Sequence, residues 1–265
     1  MGLPMDLVLI RHGESEMNAA HTCFERDEPV ECLQELRTRP DSLFRLTNAG
    51  ILQAKIAGDW IRQNFMREKP FDVHLVSGFN RGLETAGYLL PDARWEINMY
   101  IHERDWGDMV GIPKAERLEQ FADVFDQRKK DPLFPRIPNG ESLAGECARI
   151  ELVLDYLARE YPGKRVLIVT HGELMWCFRV VIEKIAPWHF GDMYRDTSRW
   201  IPNCGILHYS RRDPMTGVMG MHLAWMRTVH PTESFAMRPW TRIHRELWTA
   251  DELIRAAERT PRLLA

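Results

Sequence analysis

The sequence predicts an α/β fold, a three-layer αβα sandwich around a mostly parallel central sheet. Two aliphatic runs, Leu7-Val8-Leu9-Ile10 and Val166-Leu167-Ile168-Val169, have the length and branching of strands buried on both faces. Each ends at a His-Gly pair, in Arg11-His12-Gly13-Glu14 and Thr170-His171-Gly172-Glu173. Strand-like and helix-like segments then alternate along the chain, as parallel strands joined by crossover helices require. In such sheets ligands bind beyond the carboxyl ends of the strands, which is where both His-Gly turns lie.

Residues 7–10 read as a central strand. From about 20 to 45 the pattern breaks down: the stretch is polar, mixed in charge and carries Pro29 and Pro40, so it reads as an insertion with one short helix. Thr47 opens a helix whose buried face is Ile51, Ala54, Ala57 or Gly58, and Ile61. Residues 73–76 form the next strand, 80–89 the helix after it, and 95–101 a loosely alternating edge strand. Pro113 opens a helix at a position that tolerates proline, running to about residue 130. Pro132, Pro135 and Pro138 mark an irregular loop ending in Asn139-Gly140-Glu141-Ser142. A long helix carries Cys147, Ile150, Val153 or Leu154, and Leu157 on one face, and Tyr161-Pro162-Gly163 ends it. Residues 174–185 are helical. Residues 205–210 and 218–225 read as a hairpin around Asp213-Pro214-Met215-Thr216-Gly217, and 250–259 as a terminal helix. Residues 1–265 together read as one domain with insertions at about 20–45 and 104–140 and an extension from about 227.

Bulk properties exclude several classes. A net charge of −3 gives no nucleic-acid footprint. Cys23, Cys32, Cys147, Cys177 and Cys204 are odd in number and contain no Cys-x-x-Cys, which argues against a disulfide framework or zinc ribbon and for a reducing compartment. The amino terminus does not read as a secretory signal, and no apolar segment approaches the ~20 residues of a membrane helix. A cytoplasmic protein with no membrane or nucleic-acid partner is expected. Trp240 and Trp248 in the tail are candidates for covering the core or for the contact of a homodimer.

Phosphoryl transfer in a metal-free protein needs an in-line nucleophile, positive charge on the equatorial oxygens and a proton donor for the leaving group. Neutral imidazole is nucleophilic near pH 7; the arginine fork binds phosphate oxygens in pairs; a carboxylic acid kept protonated beside other negative charge serves as donor. Arg11 adjoins His12, Arg81 stands just past a strand at a helix start, Glu103 comes after the edge strand, and His171 is the second imidazole. Trp106, Met109 and Met175 read as packing, Arg128-Lys129-Lys130 as a solvated helix end, and Lys114, Arg117 and Arg136 as solvated surface.

From about residue 6 to 210 the chain resembles the histidine phosphatase superfamily, the phosphoglycerate mutase-like fold. The resemblance lies in Arg11-His12-Gly13, Leu46-Thr47-x-x-Gly50-x-x-Gln53-Ala54, Ser77-x-x-x-Arg81-x-x-x-Thr85-Ala86, Glu103-Arg104-x-x-Gly107, Gly140-Glu141-Ser142 and Thr170-His171-Gly172, in that order. It implies that His12 is phosphorylated during turnover and that Arg11, Arg81 and His171 bind the transferred group. Asn18 adds a hydrogen bond, and Arg104 is a further candidate for phosphate binding. Glu103 would protonate the leaving oxygen and then deprotonate the hydrolytic water. The expected partner is a small phosphorylated substrate, with no metal and no cofactor.

Rival chemistries fail on spacing. No cysteine is followed by Arg at the sixth position, and Asp-x-Asp-Thr/Val, Gly-Lys-Ser/Thr, Gly-x-Ser-x-Gly and His-Glu-x-x-His are absent. The family holds both phosphatases and cofactor-dependent mutases. The mutases' Phe-x-Gly-Trp-x-Asp stretch is replaced here by Met17-Asn18-Ala19-Ala20-His21-Thr22-Cys23-Phe24, and their paired arginines are poorly matched by Lys129-Lys130-Asp131-Pro132-Leu133-Phe134-Pro135-Arg136. A phosphatase is therefore expected, with a mutase as the alternative and a non-catalytic phospho-ligand binder last.

Overall fold

Apolar patterning dictates most of the architecture in the computed structural model, which describes residues 2–26, 28–67, 69–232 and 237–264. Strand β1 (Asp6–Arg11) leads through helices α1 (Glu16–Glu25), α2 (Leu33–Thr38) and α3 (Asn48–Asn64) to β2 (Val73–Ser77), α4 (Asn80–Leu89) and β3 (Glu96–Asn98). Helices α5 (Lys114–Gln120), α6 (Ala122–Lys130) and α7 (Leu143–Glu160) precede β4 (Arg165–Thr170), α8 (Gly172–Glu183) and α9 (Pro187–Arg195). The chain ends with β5 (Ile206–Ser210), β6 (Trp225–Val229), β7 (Thr241–Arg242) and α10 (Ala250–Ala257).

These strands form one sheet in the order β3-β2-β4-β1-β5-β6-β7. Its β3-β2-β4-β1 half is parallel, and β5, β6 and β7 add antiparallel. Because strand side chains alternate between faces, the aliphatic runs supply both sides of the sheet. Leu7, Leu9, Val166 and Ile168 join the core under α7 and α8, while Val8, Ile10, Leu167 and Val169 join the one under α3 and α4. All eight are fully buried. Each such side chain contributes about 1.5–3 kcal/mol relative to exposure, which makes the strand order hard to rearrange. Register then places the site. Arg11 pairs opposite Thr170, so the two His-Gly turns leave the sheet side by side.

The turn after β1 is held by close backbone packing on α3. A Cβ on Gly50 would lie 2.1 Å from the carbonyl oxygen of Glu14, and one on Gly13 would lie 2.5 Å from that of Gly50. Gly13 N–H donates to Thr85 Oγ1 at 3.0 Å, and Thr47 caps α3 by accepting from Gly50 N–H at 3.0 Å. Gly50→Ala is therefore expected to destabilise the protein by about 1–3 kcal/mol, the usual cost of overpacking. Urea unfolding measures this, and an unchanged midpoint would contradict the contact.

Several sequence expectations need correction. The 20–45 stretch holds the end of α1 and all of α2, because Leu36 and Phe44 bury themselves with Met17 and Ala20 in a small core of their own. The helix expected over 113–130 is two helices, broken at Phe121 (φ −124°, ψ 34°), with no buried residue in either to hold it straight. The edge strand spans only Glu96–Asn98 before a 3₁₀ turn at Met99–Ile101. The partner of β5 is Trp225–Val229, pairing Ser210 with Trp225 and Ile206 with Val229. The Asp213–Gly217 turn closes only a small loop within the connection, where Val218 and Met221 are exposed. Helix α9, unforeseen, starts on Pro187 and buries Phe190. In the tail, Trp240 packs 4.7 Å from the ring of His208, and Trp248 packs 5.3 Å from Trp188. Among the described residues no helix is long and apolar enough to cross a membrane.

Candidate active site

Adjacency of β1 and β4 brings the rings of His12 and His171 to 5.1 Å between centroids, both nearly or fully buried. His12 Nδ1 lies 2.7 Å from the carbonyl oxygen of Gly13. A carbonyl only accepts, so Nδ1 carries the proton and Nε2 keeps a free lone pair. His171 Nε2 lies 2.7 Å from Ser77 Oγ at the end of β2, while its buried Nδ1 has no hydrogen-bond partner. Thr170 donates to the carbonyl of Ile101 at 2.9 Å, tying the end of β4 to the loop that carries Glu103. One ligand atom each from His12, Glu103 and His171 can be chosen so that all lie within 4.8 Å of one another.

Positive charge surrounds this group. Arg11 donates from Nη1 to the carbonyl of Ile201 at 2.8 Å and leaves a buried Nε unpartnered. Arg81, in the first turn of α4, lies 5.0 Å from the Phe79 ring, which is edge-on to His171 at 5.2 Å. Its guanidinium is engaged by Asp41, through the backbone carbonyl at 2.6 Å and Oδ2 at 2.9 Å. Asn18 Oδ1 accepts from Ser15 N–H at 3.2 Å and Asn203 Nδ2 at 3.1 Å, so its donor end is the one left for an anion. His171 is the N-cap of α8, and the positive ends of α4 and α8 both serve the site.

Burial, reinforced by Arg81 and then Arg11, holds the His12 imidazole well below its ordinary pKa; burial and Arg81 do the same to His171. Both rings are therefore neutral near pH 7. Burial, and then the Glu173 carboxylate, raise Glu103 to about 7 against the opposing pull of Arg81. His12, Glu103 and His171 have the donor types of a metal site, but the two guanidinium groups beside them repel a cation. An anion suits the arrangement better.

The site opens into a cavity of about 530 Å³ that Arg11, His12, Asn18, Arg81 and Glu103 line. His171 and Arg104 have no exposed surface and stand outside that lining. Arg104 donates from Nε to the carbonyl of Glu141 at 3.0 Å and lies 3.7 Å from Glu173. Sequence reasoning overlooked Asp41, Asn203 and the link from Ser77 to His171, although Ser77 opens the motif that contains Arg81. It also misplaced side chains read as packing or surface. Trp106 lines the cavity, as do Arg117 and Arg128, whereas Met109 and Met175 are buried as expected, Met109 within the cavity wall, and Lys114 and Arg136 lie off the cavity. Helical charge patterns look alike whether a face meets solvent or a cavity.

Asp41 occupies the fork that Arg81 would offer to an anion. Asp41→Asn is expected to tighten inhibition by inorganic phosphate or vanadate by up to about tenfold (~1.4 kcal/mol). Weaker inhibition would mean that Asp41 only orients the arginine.

Three comparisons bear on this geometry. The family model described as the histidine phosphatase superfamily (branch 1) matches residues 7–201. A 2,3-bisphosphoglycerate-dependent phosphoglycerate mutase of Methylocella silvestris is 34% identical over 196 residues, covering 68% of this chain and 82% of the relative. One from Xanthobacter autotrophicus is 30% identical over 211 residues, covering 74% and 88%. Among solved structures, a mycobacterial glucosyl-3-phosphoglycerate phosphatase in complex with VO3 superposes with a TM-score of 0.62 at 18% identity, covering 78% of this chain and 92% of that one. The alpha-ribazole phosphatase of Shigella flexneri gives 0.60 at 18% identity, covering 82% and 96%. At such identities the superpositions show the fold.

Proposed function

Because the chain belongs to branch 1 of the histidine phosphatase superfamily, we propose that it is a phosphomonoester hydrolase acting through a phosphohistidine intermediate on a small phosphorylated metabolite. One observation carries this reading: a neutral His12, its Nδ1–H held by Gly13, shares a buried site with His171 and a carboxyl group raised to about 7.

In this reading His12 Nε2 attacks phosphorus, and the phosphorus–oxygen bond to the leaving group breaks. Arg11, Arg81 and Asn18 on the cavity lining hold the equatorial oxygens, and the unpartnered Nδ1 of His171, just behind that lining, offers one more hydrogen bond, with charge aimed at the developing transition state. Glu103 gives its proton to the leaving oxygen and, as a carboxylate, then takes one from the water that attacks phosphohistidine. Release of phosphate restores neutral His12. Five free thiols suit a reducing, cytoplasmic setting.

A second reading, phosphoryl transfer between positions of one substrate, is favoured by the mutase names of relatives at 30–34% identity. The departures after Asn18 and around Lys129-Lys130 favour hydrolysis. The two separate in one assay of 3-phosphoglycerate and p-nitrophenyl phosphate, with and without 2,3-bisphosphoglycerate, in the presence of a chelator. Release of inorganic phosphate without isomerisation is expected. Efficient isomerisation stimulated by the bisphosphate would replace the phosphatase reading with the mutase one.

A further inference from the structure

We infer that the cavity takes a phosphomonoester whose alcohol portion has an extended, aromatic or apolar body and carries a second anionic group, held by Arg117 and Arg128 beside Trp106. This rests on the phosphatase reading of the His12 end and adds the class of substrate.

The cavity is larger than a phosphoryl group needs. At about 530 Å³ it falls in the range of sites for drug-sized ligands. Away from His12 its walls include the rings of Trp106, Phe125, Trp176, Tyr194 and Trp200. An all-polar three-carbon phosphate leaves such walls without a matching surface, whereas a flat apolar body covers them.

Charge at Trp106 is unbalanced. The guanidinium groups of Arg104, Arg117 and Arg128 lie 5.3, 5.7 and 5.1 Å from its ring. Glu173 is the carboxylate paired with them, 3.7 Å from Arg104 and 3.9 Å from Arg128, both too long for hydrogen bonds. It already accepts a hydrogen bond from the Tyr194 hydroxyl. Among the described residues the Arg117 guanidinium has one hydrogen-bond partner, the ring nitrogen of His21 at 3.3 Å, and burial with Arg117 nearby pushes that imidazole down to about 4, so it adds no charge near pH 7. Arg117 Nε and both Nη atoms of Arg104 are buried without hydrogen-bond partners. Arg104 is fully buried, and the Arg128 side chain is 12% exposed. Among the described residues, three guanidinium charges thus have one ion-paired carboxylate where water is scarce, since burial holds the Glu146 carboxyl near Arg104 well above its ordinary value, an arrangement costly alone and complementary to a carboxylate or phosphate. Arg104 stands outside the lining and supports the ring, while Arg117 and Arg128 reach the cavity.

Non-hydrolysable phosphonates test this by calorimetry on the intact protein, independently of turnover. Methylphosphonate, benzylphosphonate, 4-carboxybenzylphosphonate and para-xylylene bisphosphonate are titrated in turn. Benzylphosphonate is expected to bind more tightly than methylphosphonate. One or both of the doubly anionic ligands should bind at least about tenfold more tightly than benzylphosphonate, and the preferred one identifies the second group as carboxylate or phosphate. In the double variant Arg117→Gln/Arg128→Gln that ratio should fall to near one, with thermal unfolding checked in parallel. Equal binding of benzylphosphonate and both dianionic ligands by the unaltered protein overturns the anion subsite, whether or not the variant folds. Equal binding of methylphosphonate and benzylphosphonate overturns the apolar body. Ligand discrimination without any phosphatase turnover would remove the hydrolase reading and leave this binding preference standing.

Discussion

His12→Ala is expected to abolish turnover of p-nitrophenyl phosphate, with kcat falling on the order of 10⁶-fold, as when a covalent nucleophile is removed. The neighbouring imidazole is not expected to substitute, because it sits at the N-terminus of α8, fully buried and outside the cavity lining that includes His12. The variant should still bind vanadate or phosphate, since Arg11, Arg81 and Asn18 are untouched. Alkaline quenching during turnover should trap acid-labile phosphate on the unaltered protein and none on the variant. Labelled phosphate persisting on the variant would move the nucleophile to another residue.

Glu103→Gln should divide the reaction into its halves. With an alkyl phosphate the leaving oxygen needs a proton, and loss of a general acid-base group costs about 10²–10⁴-fold. With p-nitrophenyl phosphate the leaving group departs without one, so the variant should phosphorylate His12 and then stall. A burst of nitrophenolate equal to the enzyme concentration is the expected result; the same slow steady rate from the first turnover would assign the proton transfers elsewhere. The pH dependence derives from the raised value of about 7. Below it Glu103 is protonated and can donate, so phosphorylation by an alkyl substrate should fall as pH rises through about 7. Above it the carboxylate can accept, so phosphohistidine hydrolysis should fall as pH drops through about 7. Both limbs should vanish in the glutamine variant.

Much of the site was legible because its residues sit where local patterns change. His12 and His171 each end an aliphatic strand, Arg81 opens a helix after another, and Glu103 comes after the edge strand. Local chemistry could not show that Asp41 closes on Arg81 across 40 positions in sequence, that Ser77 holds His171, or that α5 and α6 bend at Phe121. The cavity-facing role of Arg117 and Arg128 is not visible in the sequence, because a charged helical face carries the same pattern toward solvent as toward a cavity.

Short-range preference determined the buried strands β1, β2, β4 and β5, the turns after them and the kinds of side chain delivered there, since buried strands and tight turns select residues within a few positions. The convergence of two imidazoles, the neutrality of both, the raised carboxyl and the arginines around Trp106 were decided by tertiary structure alone. Register sets which turns lie side by side, and burial with the charges it encloses sets which protonation state each group holds. Neither quantity exists until the chain has folded.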